Sequence, residues 1–94
     1  MAAWGLGVSL RGQREFAQAA GAFDLVTTVR DVDPGLIDRA NLAAGEMYDA
    51  AGRRQEAMAR YRAVSAVGRD GDEDTAARKY LHRPYKFSET APGK

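Results

Sequence analysis

The sequence predicts an all-α fold: two antiparallel helical hairpins followed by a short C-terminal capping helix. Three observations predict it. Apolar and small residues recur three or four apart along most of the chain, the period of one helix face. Eighteen of the 94 residues are alanine, and β-branched residues are few, a composition that favours helix over strand. A set of apolar and small positions also returns later in the chain at one constant offset, as an internal repeat does.

The periodicity places a first helix at about Ala2–Arg11, with Trp4, Leu6, Gly7 and Leu10 on its apolar or small side. A second runs over about Arg14–Val29, carried by Phe16, Ala19, Ala20, Phe23 and Val26. The third spans about Gly35–Ala51, with Ile37, Ala40, Ala44, Met47 and Tyr48 in one stripe. The fourth spans about Arg53–Val67, with Ala57, Met58, Tyr61, Val64 and Val67. Asp33 before Pro34 reads as an N-cap with proline at the first helical position, where its missing N–H costs nothing. Gly12, Gly52 and Gly68 stand where the first, third and fourth helices should stop. Glu56 and Arg60 lie four apart within one helix, a pair worth a few tenths of a kcal/mol.

Beyond Gly68 the composition changes to a charged turn in which Asp70 and Glu73 are spaced as a capping box. A fifth helix over about Glu73–His82 follows, with Ala76, Ala77, Tyr80 and Leu81 facing inward, and Pro84 ends it. Residues 1–83 thus read as one helical domain: repeat one at about 2–33, repeat two at about 35–67 and a cap at about 73–82. Residues 84–94 read as a C-terminal tail, frayed from Ser88 onward.

In the repeat, Leu6 and Gly7 fall on Ala44 and Gly45, and Leu10 falls on Tyr48. Ala19 falls on Ala57, Ala20 on Met58, Phe23 on Tyr61, Val26 on Val64 and Val29 on Val67. Two helices joined by a tight turn must approach closely somewhere. Gly7 and Gly45 on the first helix of each pair, with Ala19 and Ala57 on the second, permit that approach. Phe23 and Tyr61 fill the space beside it. Each hairpin leaves an apolar face that a neighbouring hairpin covers.

On these residues the chain resembles the tetratricopeptide repeat family over about residues 2–67. Ala44, Gly45, Tyr48, Gly52, Ala57 and Tyr61 stand at the family's spacing in the second copy, and Leu6, Gly7, Leu10, Phe16, Ala19 and Phe23 in the first. The period, Gly7 to Gly45, is about one helical turn longer than the family's usual one of roughly 34 residues. Arg14 takes the place of the turn glycine in copy one, and Arg54 the place of the Phe16 ring in copy two. The resemblance implies an α-solenoid fragment that serves as a protein–protein interaction module or scaffold. It implies binding of a peptide or partner helix on the concave face lined by the first helix of each hairpin. Carried onto this chain, that face is Trp4, Val8 and Arg11 in the first hairpin and Arg39, Leu42, Glu46 and Asp49 in the second. Gly7, Ala19, Phe23, Gly45, Tyr48, Ala57 and Tyr61 are then repeat-packing residues. The lysines and asparagines with which some members clamp a peptide's terminal carboxylate are missing from these places.

Nothing in the sequence assembles a catalytic site, so the expectation is a protein that is not an enzyme and needs no cofactor. His82 is the only histidine, and no serine sits in a nucleophile-elbow context. Gly5, Gly7 and Gly12 follow no strand and precede no lysine at phosphate-loop spacing. The absence of cysteine excludes disulfides and thiolate metal sites. The acids Asp70, Asp72, Glu73 and Asp74 lack the closing carboxylate of a calcium loop and read instead as a helix N-terminus dressed with negative charge. A net charge of +1 gives no bulk attraction to nucleic acid or membrane.

Two further partners enter as expectations. Arg78, Lys79, Arg83 and Lys86, interleaved with Tyr80, Tyr85 and Phe87, form a small cation-and-ring patch that would bind nucleic acid weakly and with strong salt dependence. The apolar first helix, with no capping residue ahead of it, would pair with a second copy or another protein, making a homodimer through the N-terminal helix face. Arginine outnumbers lysine eleven to three, which suggests a GC-rich bacterial coding sequence. No stretch suits a membrane span, and a cytoplasmic location is expected if the chain is complete.

Overall fold

The computed structural model describes residues 2–29, 33–66 and 71–87. Among them the chain forms five α-helices and no strand: α1 Ala2–Gly12, α2 Phe16–Val26, α3 Pro34–Ala50, α4 Arg54–Ser65 and α5 Asp72–His82. Each helix packs on its neighbours in sequence, and α5 also touches α3. The Cα radius of gyration is 12.4 Å.

The helix ends follow local chemistry and correct several expected boundaries. Arg14 has φ +63°, a left-handed torsion no helix interior accepts, so α2 starts at Phe16 rather than Arg14. Gly52, the equivalent position in the second copy, has φ +81°, the same turn with a residue suited to it. At its other end α2 stops at Val26, short of Val29. The Thr27 hydroxyl donates to the Asp24 carbonyl at 2.7 Å and the Thr28 hydroxyl to that of Leu25 at 2.8 Å, local bonds that compete with continuing the helix. Val29 is consequently 42% exposed and leaves the repeat's core set. Asp33 does precede α3, but it caps through its carbonyl, which accepts from the Leu36 and Ile37 amides, and not through its side chain. The cap of α5 is Gly71. Asp70 of the expected capping box lies outside the described residues, as do Val67 and Gly68. Asp72, Glu73 and Asp74 occupy the first turn of α5, where their charge complements the helix dipole.

Two core clusters share Tyr48. One gathers Ala19, Ala20, Phe23, Ala44 and Met47, with Trp4, Leu10 and Phe16 against it. The other gathers Ala57, Tyr61, Val64 and Ala77, with Leu42, Tyr80 and Leu81 against it. Of the expected inward face of α5, Ala77, Tyr80 and Leu81 pack there, while Ala76 is half-buried outside both clusters. Leu6 is a correction on α1: it is 53% exposed and outside the core.

The repeat-packing residues meet as pairs. A methyl group on Gly7 would stand 2.6 Å from the Phe23 ring, and one on Gly45 would stand 2.5 Å from the Tyr61 ring. Both rings are fully buried, so neither can swing aside. Gly45→Ala therefore exchanges a helix-propensity gain of up to about 1 kcal/mol for overpacking of about 1–3 kcal/mol. A net loss of about 1–2 kcal/mol is expected in urea unfolding, shrinking in a Tyr61→Leu background, where the two changes couple. Gly21 in α2 is the control, since nothing lies within 4 Å of the added methyl. Gly21→Ala should stabilise by about 0.5–1 kcal/mol.

Candidate interaction face

The seven residues expected to form a first-helix face are all on α1 and α3, and they fall into three groups. Val8 and Arg39 are exposed. Trp4 and Leu42, which stand at equivalent places in the two copies, are half-buried. Trp4 lies 5.0 Å from the Phe23 ring, with the Arg39 guanidinium over its own ring at 5.4 Å, and Leu42 packs on the second cluster. Arg11, Glu46 and Asp49 converge at the end of α1 and α3 where the turns lie.

Asp49 is the centre of that convergence. Its side chain is 2% exposed, and its carboxylate accepts three groups. The Tyr61 hydroxyl donates at 2.7 Å, the Arg54 guanidinium at 2.9 Å and the Tyr85 amide at 3.0 Å. This carboxylate is thus engaged by its own chain. Burial, then the adjacent carboxylate, pushes the Tyr61 phenol far above its ordinary value, so it stays a donor. Arg54 also donates to the Leu81 carbonyl at 3.1 Å, tying the turn after α3 to the end of α5.

Glu46 lies one turn before Asp49 among three phenols. Burial lifts its carboxyl from 4.5 to about 7, against the opposing pull of Arg11. Its charge in turn raises Tyr61, Tyr80 and Tyr85, in each case after burial.

A second polar centre joins three helices. Asp24 accepts two bonds from the Arg60 guanidinium, at 2.7 and 2.9 Å, and one from the Tyr48 hydroxyl at 2.7 Å. The Asp24 bond holds Arg60 above its usual range, and Arg60 also lies over the Tyr48 ring at 5.3 Å. The expected Glu56–Arg60 pair gives way to this arrangement. A paired fork on a half-buried carboxylate outweighs an exposed pair along one helix. Glu56 instead stands 3.9 Å from Arg53, with both side chains about half exposed. Asp24 is the one charged residue of α2, and an isolated acid in an apolar helix is the signal that could have marked it. Arg60, Arg54 and Tyr85 carried no such mark of an inward role.

The stretch read as a tail begins with two rings, Tyr85 and Phe87, packed on the helices, between the exposed Pro84 and Lys86. Pro84–Phe87 has no regular secondary structure. Tyr85 sits on the first core cluster, edge-on to Tyr80 at 5.4 Å. Phe87 lies 5.0 Å from Phe16, and Arg14 covers it at 5.8 Å. Tyr80 lies 5.5 Å from Tyr61. The three rings of the cation-and-ring patch are therefore used within the fold. Of its cations, Arg78 pairs with Asp74 at 3.2 Å and Lys79 lies over Tyr80 at 5.7 Å. Ser88–Lys94 lie outside the described residues.

Among the described residues, no helix is long and apolar enough to cross a membrane, and no group of three or more His, Cys, Asp or Glu is placed to hold a metal ion. Comparison with family models, curated proteins and solved structures finds no match.

Proposed function

We propose that this chain is a two-hairpin module of tetratricopeptide type, capped by α5, which binds a peptide or partner helix of another protein through the face formed by α1 and α3. The observation that carries this reading is a contact repeated at the internal period. Gly7 against Phe23 and Gly45 against Tyr61 are the same glycine-to-ring approach, one period apart. The left-handed turn residues Arg14 and Gly52 stand at the same offset. Two copies of one local geometry, each sealed by the next helix, favour a repeat over a bundle of unrelated helices. Val8 and Arg39 supply an exposed apolar group and an exposed cation on that face, beside the half-buried Trp4. The inward use of Tyr80, Tyr85 and Phe87 favours a protein partner over nucleic acid, since those rings would have to leave the fold to stack on bases.

The test is selection from a random peptide display library, followed by amide shift mapping with a selected peptide. Shifts centred on Trp4, Val8, Arg11, Arg39 and Glu46 are expected. Binding centred on the exposed sides of α2 and α4 would sink the reading.

A further inference from the structure

The segment after α5 behaves as a ligand that the fold supplies to itself. It leaves α5 at Arg83, whose φ −136° and ψ +131° are extended, and crosses from one copy of the repeat to the other. Its contacts fall on equivalent positions. Asp49 receives the Tyr85 amide at 3.0 Å, and the charge of Arg11, its equivalent in the first copy, acts on the Tyr85 phenol. Arg54 holds the Leu81 carbonyl at the start of the crossing, and Phe16, the first-copy equivalent of Arg54, receives the Phe87 ring at its end. Two clefts open to solvent adjoin the segment. A cleft of ≈ 400 Å³ opens beside Asp49, Phe16 and Phe87, and another of ≈ 490 Å³ beside Tyr80, Pro84 and Tyr85. A short irregular segment with open space alongside it belongs to the low-stability end of a structure.

We propose that Pro84–Phe87 is a displaceable internal occupant, and that the seat it covers takes an extended partner segment of the same chemistry: two aromatic residues separated by one basic residue. One backbone amide meets Asp49, the first ring meets Tyr80 and the first core cluster, and the second ring meets Phe16 under Arg14. Affinity for a free peptide is masked in the intact chain, because the tethered segment competes at a high effective concentration. This inference rests on the interaction-module reading and names the partner chemistry for it.

The experiment uses the full chain as wild type and as the double variant Tyr85→Ala/Phe87→Ala, with a fluorescein-labelled peptide copying residues 83–88 as probe. The double variant should bind the probe at least tenfold more tightly than wild type, and a probe with alanine for both aromatics should not bind. Equal binding by the two chains, or none by either, overturns the proposal. Far-UV circular dichroism checks folding, and Phe87→Ala alone, which loses only the outer ring, replaces the double variant if that unfolds. Hydrogen exchange on wild type is independent of any variant. The Tyr85 amide should exchange at least a hundredfold faster than the Tyr61 amide, and equal protection would mean that the segment leaves only when the whole fold does. A wild-type dimer in light scattering, with the segment exchanged between copies, would make a second copy the occupant and overturn the separate partner. If peptide display on the double variant finds ligands for α1 and α3 that lack the aromatic pair, the module reading survives and this inference alone fails.

Discussion

Asp49→Ala should cost about 3 kcal/mol of folding stability, because it leaves a buried phenol and a half-buried amide without their acceptor. Tyr61 has no route to solvent, being fully buried, so its hydroxyl bears the whole desolvation cost. Arg54 is partly exposed and can turn to water, which limits its share. For a domain of this size, a loss of that magnitude lowers the melting temperature by roughly 10–20 °C. Asp49→Asn keeps a carbonyl for Tyr61 but sets an amide against Arg54, and should lose about half as much. Thermal unfolding followed by circular dichroism checks both, and an Asp49→Ala protein within about 0.5 kcal/mol of wild type would show that Asp49 is not the centre described above.

Glu46 makes stability depend on pH in the direction opposite to most carboxylates. Below its ordinary value of 4.5 the carboxyl is protonated in both the folded and unfolded chains and contributes no slope. Between 4.5 and about 7 the folded chain keeps a proton that the unfolded chain has released, so stability falls as pH rises. Above about 7 the folded chain carries a charge that burial disfavours, and the loss is complete. The shift corresponds to about 2–3 kcal/mol between pH 4.5 and pH 8. Glu46→Gln should remove this slope and be the more stable protein at pH 8 by a similar amount. Urea titrations at pH 5, 6, 7 and 8 measure it, and parallel profiles for the two chains would refute it.

Sequence reasoning reached the parts of this molecule that depend on short-range rules. Helical spacing located the five described helices, and close-packing logic picked out Gly7 and Gly45 as points of close approach, although the partners they meet are the Phe23 and Tyr61 rings rather than Ala19 and Ala57. It failed where a polar group had to choose between a near partner and a distant one. Arg60 had Glu56 one turn away and took Asp24, which lies on α2. Asp49 looked like a free groove acid because its partners come from α4 and the segment after α5. Those choices are made by tertiary geometry, which spacing along the chain does not encode. The end of α2 was legible in principle, since two consecutive threonines offer hydroxyls that turn back on the carbonyls before them.

The two turn residues, Arg14 and Gly52, adopt one torsion with very different ease, and the difference marks a division of labour between the copies. Gly52 is a bend and nothing more: it has no side chain to offer. Arg14 tolerates a backbone cost that glycine would avoid and gains a long arm, which reaches the Phe87 ring beyond α5. Glycine at that position would relax the bend and release the fastening in the same step. The first turn therefore trades local comfort for a grip on Phe87, so the repeat's internal symmetry is broken at the place where the first hairpin and the segment after α5 are held together.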